Sequence, residues 1–176
     1  MILKIRNWVP LALAITLICG LIYATIQQNF RQGANDPQIQ IAEDLKEDLN
    51  SGKKLGESVK NIDLNKSLKE FVIVFDEQNH PIYSEASLDG KIPTLPKGVF
   101  EYVIVHNLDK FTWEPKSGVR IAAVMTKYNK GFILAGRSLK EVEKREDNLL
   151  KQVGIGWAVT IITTIVAALL FTRNKP

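Results

Sequence analysis

The sequence predicts an α+β protein: one domain built on a five-stranded antiparallel sheet with helices, set between two transmembrane helices. Three observations carry that expectation. Two uncharged apolar runs, Val9 to Ile26 and Val153 to Thr172, stand near the ends of the 176-residue chain and are 18 and 20 residues long. All 19 acidic residues fall between them, from Asp36 to Asp147, together with 19 of the 23 basic ones. Inside that middle stretch, runs rich in β-branched and aromatic residues alternate with polar turns, and helical patterns flank them.

The charges sort the partners. Residues 27–152 are neutral, and the surplus of +4 sits at the two tips, on Lys4, Arg6, Arg173 and Lys175. A nucleic-acid binder gathers Lys and Arg on its folded part, so nucleic acid is not an expected partner and the lipid bilayer is. At about 1.5 Å per residue, each apolar run reaches across a hydrocarbon core of about 30 Å, the first only just. Trp8 and Trp157 stand near ends of the runs, where amphipathic rings settle. The expected layout is a cytoplasmic N-terminus (1–8), a first span (9–26), an extracytoplasmic domain (27–152), a second span (153–172) and a cytoplasmic C-terminus (173–176), in the plasma membrane.

The first span has two competing readings. A cleaved signal peptide would be cut after Ala24, but Ile22 is too large for the position three before the cut. A lipoprotein signal ending at Cys19 would need a small residue before it and Leu three before it, and Ile18 and Thr16 stand there. Cys19 is the only cysteine, so no intramolecular disulfide forms, and the 126 residues of the outer stretch must be held by a hydrophobic core.

The outer elements follow in order. Asp36-Pro37 predicts a helix start, with Asp as N-cap and Pro at the first helical position. Ile41, Leu45 and Leu49 then share one face, and Ser51-Gly52 ends the helix. A weaker helical piece is expected over Leu55 to Ile62. "FVIVFD" from Phe71 reads as a buried strand, "EQNH" as a turn, "PIYSEA" as a second strand and "LDGKIPTLP" as loop. "KGVFEYVIVHN" is ambiguous: its length and Pro96 favour a helix, Val-Ile-Val a strand, and helix is the reading taken. Three strands follow, "FTWEP", "VRIAAVMTK" and "GFILAGR", joined by "KSG" and "YNKG" turns into an antiparallel meander. The helices are expected on one face of the sheet.

The last strand meets a charged helix without a linker. "SLKE" at Ser138–Glu141 fits a capping box. Glu141 with Arg145 and Asp147 with Lys151 are opposite charges four apart. Leu139, Val142, Leu149 and Val153 have heptad-like spacing, interrupted by Glu146. Nothing before Gly154 and Gly156 breaks the pattern, so the helix is expected to run from the domain into the second span. It is a transmitting or dimerising helix, or a plain tether with a solvated charged face.

Two pieces carry a resemblance. "FVIVFDEQNHPIYS" resembles the first hairpin, and "GFILAGRSLKEVEKRE" the final strand and exit helix, of the extracytoplasmic PAS-like (Cache-type) sensor region of bacterial sensor histidine kinases and chemoreceptors, over about residues 36–172. The resemblance implies a PAS-like domain in a signal-transduction or two-component setting. In such receptors the second span continues into signalling domains. Four residues follow Thr172 here, so the expectation is that output belongs to a partner, a separate membrane kinase or receptor.

No catalytic constellation stands out. His80 reads as a turn residue, and His106 as a cation at a helix C-terminus. No phosphate loop, nucleophile elbow or zinc motif is present, and no metal or cofactor is expected. In the strand from Val119, residues Arg120, Ala122, Val124 and Thr126 share one face and Val119, Ile121, Ala123 and Met125 the other. Arg120 is the candidate to meet a small carboxylate-type ligand, unless it pairs with Glu101 or Glu114. Trp113, Tyr102 and Tyr83 are candidates to line the same cavity, or else core. Arg137 is expected to fix the corner between strand and exit helix. The resulting expectation is a non-enzymatic membrane-anchored module that binds a small ligand, a partner's domain or a second copy, and modulates a separate signalling protein. The alternative is a structural or assembly protein whose outer domain only packs, with Gly154, Gly156 and Ala158 allowing close helix approach.

Overall fold

The computed structural model describes residues 2–56 and 61–173. It divides into two compact units, residues 1–31 with 143–176, and residues 32–142.

The second unit holds the sheet. Its strands are β1 (Ile62–Asp63), β2 (Phe71–Phe75), β3 (Pro81–Ser84), β4 (Ala86–Ser87), β5 (Leu108–Lys116), β6 (Val119–Tyr128) and β7 (Gly131–Ser138). Five of them form one antiparallel sheet in the order β3-β2-β7-β6-β5, and β1 and β4 make a small parallel pair. All five residues of β2 are buried, as are the first six of β7. Their side chains alternate between two cores. Phe71, Ile73, Phe75, Ile121, Met125, Phe132 and Leu134 lie in one, with Phe100 and Val103 of helix α3 (Lys97–His106). Val72, Val74, Val124, Ile133 and Ala135 lie in the other, beneath Ala42 of helix α2 (Asp36–Asn50).

The helices therefore cover both faces, which corrects the expectation of one covered face. The reason is in the strands: "FVIVF" and "GFILAG" are unbroken apolar runs rather than alternating ones, and such strands need cover on both sides. Ala42 has no exposed surface, so its small side chain lets α2 sit close on the sheet, with Ile39, Ile41, Leu45 and Leu49 around it.

Two helix boundaries moved. The N-cap of α2 is Asn35, in helical geometry without a side-chain cap, so Asp36 is already inside the helix. Pro37 keeps its place in the first turn. Buried Gln38 sets its side-chain amide against the carbonyls of Ala34 and Asn35, and with the nitrogen assigned to that side it donates to both, at 2.6 and 3.3 Å. The weak helical piece expected over Leu55 to Ile62 is not a helix where it is described: Leu55 and Gly56 are irregular and Ile62 begins β1. Its middle, 57–60, and the tail 174–176 lie outside the described residues.

The ambiguous "KGVFEYVIVH" is the helix α3. It ends on Asn107 in the left-handed region (φ 65°), whose N–H donates to the carbonyl of Val103.

Leu139 alone separates β7 from helix α4 (Lys140–Arg173). Its N–H donates to the carbonyl of Arg120 at 2.8 Å, and the Ser138 hydroxyl accepts from the Lys140 N–H at 3.3 Å. The Ser138 hydroxyl thus meets the amide two residues on, where the expected capping box would have used the third. Helix α4 continues past Gly154 and Gly156 without a break. Helix α1 spans Ile2–Gly33. Both α1 and α4 contain segments long and apolar enough to cross a membrane. They lie antiparallel, with the Trp8 indole N–H donating to Thr164 Oγ1 at 3.3 Å and the Trp157 indole N–H to Thr16 Oγ1 at 2.9 Å.

Candidate functional site

The candidate site is a cavity of about 520 Å³ in the sheet domain. Three segments wall it: the β2–β3 hairpin, the loop Ile92–Leu95 and one face of α3. Each is placed by local chemistry.

At the hairpin, Asp76 Oδ1 accepts the backbone N–H groups of Gln78 and His80, at 2.9 and 2.8 Å. This Asx-type turn carries Asn79 into the left-handed region (φ 66°), which Asn tolerates better than most residues. Gln78 and Asn79 then form part of the cavity rim. On α3, the lining residues are Lys97, Phe100, Glu101 and Ile104, at i, i+3, i+4 and i+7, a single helical face. Phe75 and Phe100 meet edge to face, with centroids 5.2 Å apart, and Phe100 meets Phe132 likewise at 5.4 Å. The aromatic floor is thus a part of the core and is held rigidly. Lys97 and Glu101 stand on the rim one turn apart with opposite charge, and among the described residues no ion pair joins them.

A smaller cleft of about 300 Å³ lies on the α2 side, lined by Asp44, Leu45, Asp48, Val72, Tyr83 and Glu85 among others. The Tyr83 hydroxyl donates to Glu85 at 3.4 Å. Partial burial raises its pKa above the ordinary tyrosine value, and the charge of Glu85 adds to the effect.

The four ligand candidates are not brought together. Trp113 is 4% exposed and belongs to the core on the α3 side. Tyr102 is on the outer surface of α3, 47% exposed and stacked on His106 at 4.1 Å. Tyr83 packs against the opposite core, under α2. Arg120 is exposed, on the same strand face as Val124 of that core. The sheet therefore stands between Trp113 and Tyr102 on one side and Arg120 and Tyr83 on the other, so the shared cavity expected from the sequence does not form. Of the four, Tyr83 lines the smaller cleft, and none lines the larger one. Arg137 ties the end of β7 to Glu70, just before β2, at 3.6 Å, rather than to the exit helix.

The residues of the larger cavity were missed because two of its three walls lie in "EQNH" and "LDGKIPTLP", which read as plain turn and loop. The spacing of Lys97, Phe100, Glu101 and Ile104 is legible in the sequence for a helical α3. Among the described residues, no group of three His, Cys, Asp or Glu is arranged to hold a metal ion. No family model, curated protein or solved structure matches the chain.

Proposed function

We propose that the chain is a two-span membrane protein whose outer domain is a PAS-like sensory module without enzymatic output. Residues 27–152 face the outside, both termini lie in the cytoplasm, and a small ligand in the cavity beneath α3 modulates a separate membrane signalling protein. The observation that carries this reading is the cavity itself: about 520 Å³, within the range of small-molecule sites, with an aromatic floor and a few convergent polar groups. The unbroken run of α4 from Lys140 supports the coupling of that domain to the span. The lining differs from the one expected. Lys97 and Glu101 replace Arg120, so the favoured ligand has an apolar body and carries both an anionic and a cationic group. The ammonium of Lys97 receives the first and the carboxylate of Glu101 the second.

The test is a thermal-shift screen of the whole purified chain against amino acids, short apolar peptides, monocarboxylates and amines. A ligand at 100 times its dissociation constant stabilises the fold by about 2.7 kcal/mol. A zwitterionic hit lost in both Lys97→Gln and Glu101→Gln supports the reading. A folded chain with no hit, or a hit unaffected by both substitutions, removes it. A reporter fused within 27–152 that reads cytoplasmic removes the topology.

A partner-binding reading is favoured by the outer surface of α3, where Tyr102 and Val105 are exposed, Val105 to 73%.

A further inference from the structure

We infer that α1 and α4 form one antiparallel hairpin of fixed register, so that α4 uses its apolar seam within the chain and moves together with α1 rather than along it. The inference rests on the reading of both helices as spans.

Three directional contacts set the register. Trp8 with Thr164 and Trp157 with Thr16 have been described, and the Arg31 guanidinium donates to Glu146 Oε1 at 2.9 Å. Burial agrees with this register at four of the six α1 positions: 8, 19, 23 and 26. On α1 the half-buried positions 8, 12, 15, 19, 23 and 26 recur at spacings of three and four, followed by 27 and 30. On α4, from Glu146 onward, the less exposed positions are 146, 149, 153, 158, 161, 164, 167 and 168, and Trp157 is 40% exposed. With Trp8 opposite Thr164, the antiparallel count sets Cys19 opposite Val153, Tyr23 opposite Leu149 and Ile26 opposite Glu146. These are positions that lose exposure on both helices, the pattern of an antiparallel coiled-coil seam.

Polar side chains inside a span act as directional glue because hydrocarbon offers them no other partner. Sliding α4 by one turn, about 5.4 Å, would break all three contacts together. It would also draw Glu146 away from Arg31 along a seam of Ile26 and Tyr23. Glu146, which interrupts the heptad pattern in the sequence, takes a seam position and pairs with Arg31 beyond the end of the apolar seam. The outer faces of the pair, where Leu17, Leu21, Ile155 and Ile162 are exposed, are what the bilayer meets.

The test uses the whole chain in membranes, with the native Cys19 as probe. Val153→Cys places a second thiol opposite it, and Ile155→Cys places one on the outer face, where Ile155 is 65% exposed. After a membrane-permeant oxidant, the first variant is expected to form an intramolecular disulfide. This is read as linked peptides by mass spectrometry from a band that migrates as monomer. The second variant is expected to keep both thiols free. Equal disulfide yields in the two would show that the register is not fixed. A disulfide-linked dimer of the first would place the seam between copies. Either result overturns the inference. Should Val153→Cys fail to accumulate, Tyr23→Cys with Leu149→Cys in a Cys19→Ser background reports the same register. Ligand screening and reporter fusion are read separately, so failure of the hairpin and failure of the proposed function give different patterns.

Discussion

The distal edge of the Phe71 ring occupies the space that a side chain on Gly136 would need. The two residues are register partners on β2 and β7, and a Cβ built on Gly136 would fall 2.4 Å from the ring's Cζ. Phe71 is 1% exposed, so its ring has nowhere to swing. Gly136→Ala is expected to destabilise the domain by about 2 kcal/mol through overpacking. In a Phe71→Leu background the same substitution is expected to cost clearly less. A double-mutant cycle by chemical denaturation of the whole chain measures the difference, and additive costs would contradict this account.

Gly131 is constrained by backbone rather than by a ring. Its φ is +144°, and a Cβ there would stand 2.1 Å from the carbonyl oxygen of Phe75. Gly131→Ala is expected to cost about 3 kcal/mol or more, exceeding Gly136→Ala in the same denaturation series, because a backbone carbonyl cannot rotate aside.

Trp113 and Arg120 should separate structure from binding. Trp113→Ala removes a buried indole and is expected to cost about 3–5 kcal/mol in stability. Arg120→Ala, at an exposed position, is expected to cost about 1 kcal/mol or less. It should also leave ligand-induced stabilisation unchanged. A thermal shift abolished by Arg120→Ala alone would return the site to the strand face first suggested by the sequence.

Asn107 closes α3 with φ at 65°, and its carbonyl accepts both the Lys127 N–H and the Thr126 hydroxyl, each at 3.2 Å. The side chain itself does little there. Asn107→Gly is expected to fall within about 0.5 kcal/mol of the wild type. Asn107→Val is expected to lose about 1–2 kcal/mol, the cost of the left-handed region for a side chain branched at Cβ. Equal melting temperatures for the two variants would contradict the capping role.

Asp89 gives a pH signature. Hydrogen bonds from Lys116 (2.8 Å) and then Asn65 (3.1 Å) lower its carboxyl pKa below the ordinary value. A depressed folded pKa means that the contribution is present above the unfolded value of about 4 and is lost as pH falls through the folded one. Asp89 has φ 52°, which Asn also tolerates, so Asp89→Asn removes the charge without removing the turn. The variant is expected to melt at a slightly lower temperature than the wild type at pH 7, and the gap should close below about pH 4. A gap independent of pH would show that the charge is not the cause.

The sequence by itself determined the elements that repeat locally. The apolar runs around Val9–Ile26 and Val153–Thr172 set α1 and α4, the β-branched runs set β2, β6 and β7, and Pro96 with the length of "KGVFEYVIVH" tipped α3 to a helix. Each depends on neighbours within a turn or two, so periodicity suffices. Only the tertiary structure decided which faces meet. It set α2 and α3 on opposite sides of the sheet, which parted Arg120 and Tyr83 from Trp113 and Tyr102. It joined a turn at 78–79, a loop at 92–95 and a face of α3 into one cavity. It also laid Trp8 against Thr164 and Arg31 against Glu146. Contacts between segments so distant in the chain follow from how whole surfaces are buried together, and no local pattern encodes them.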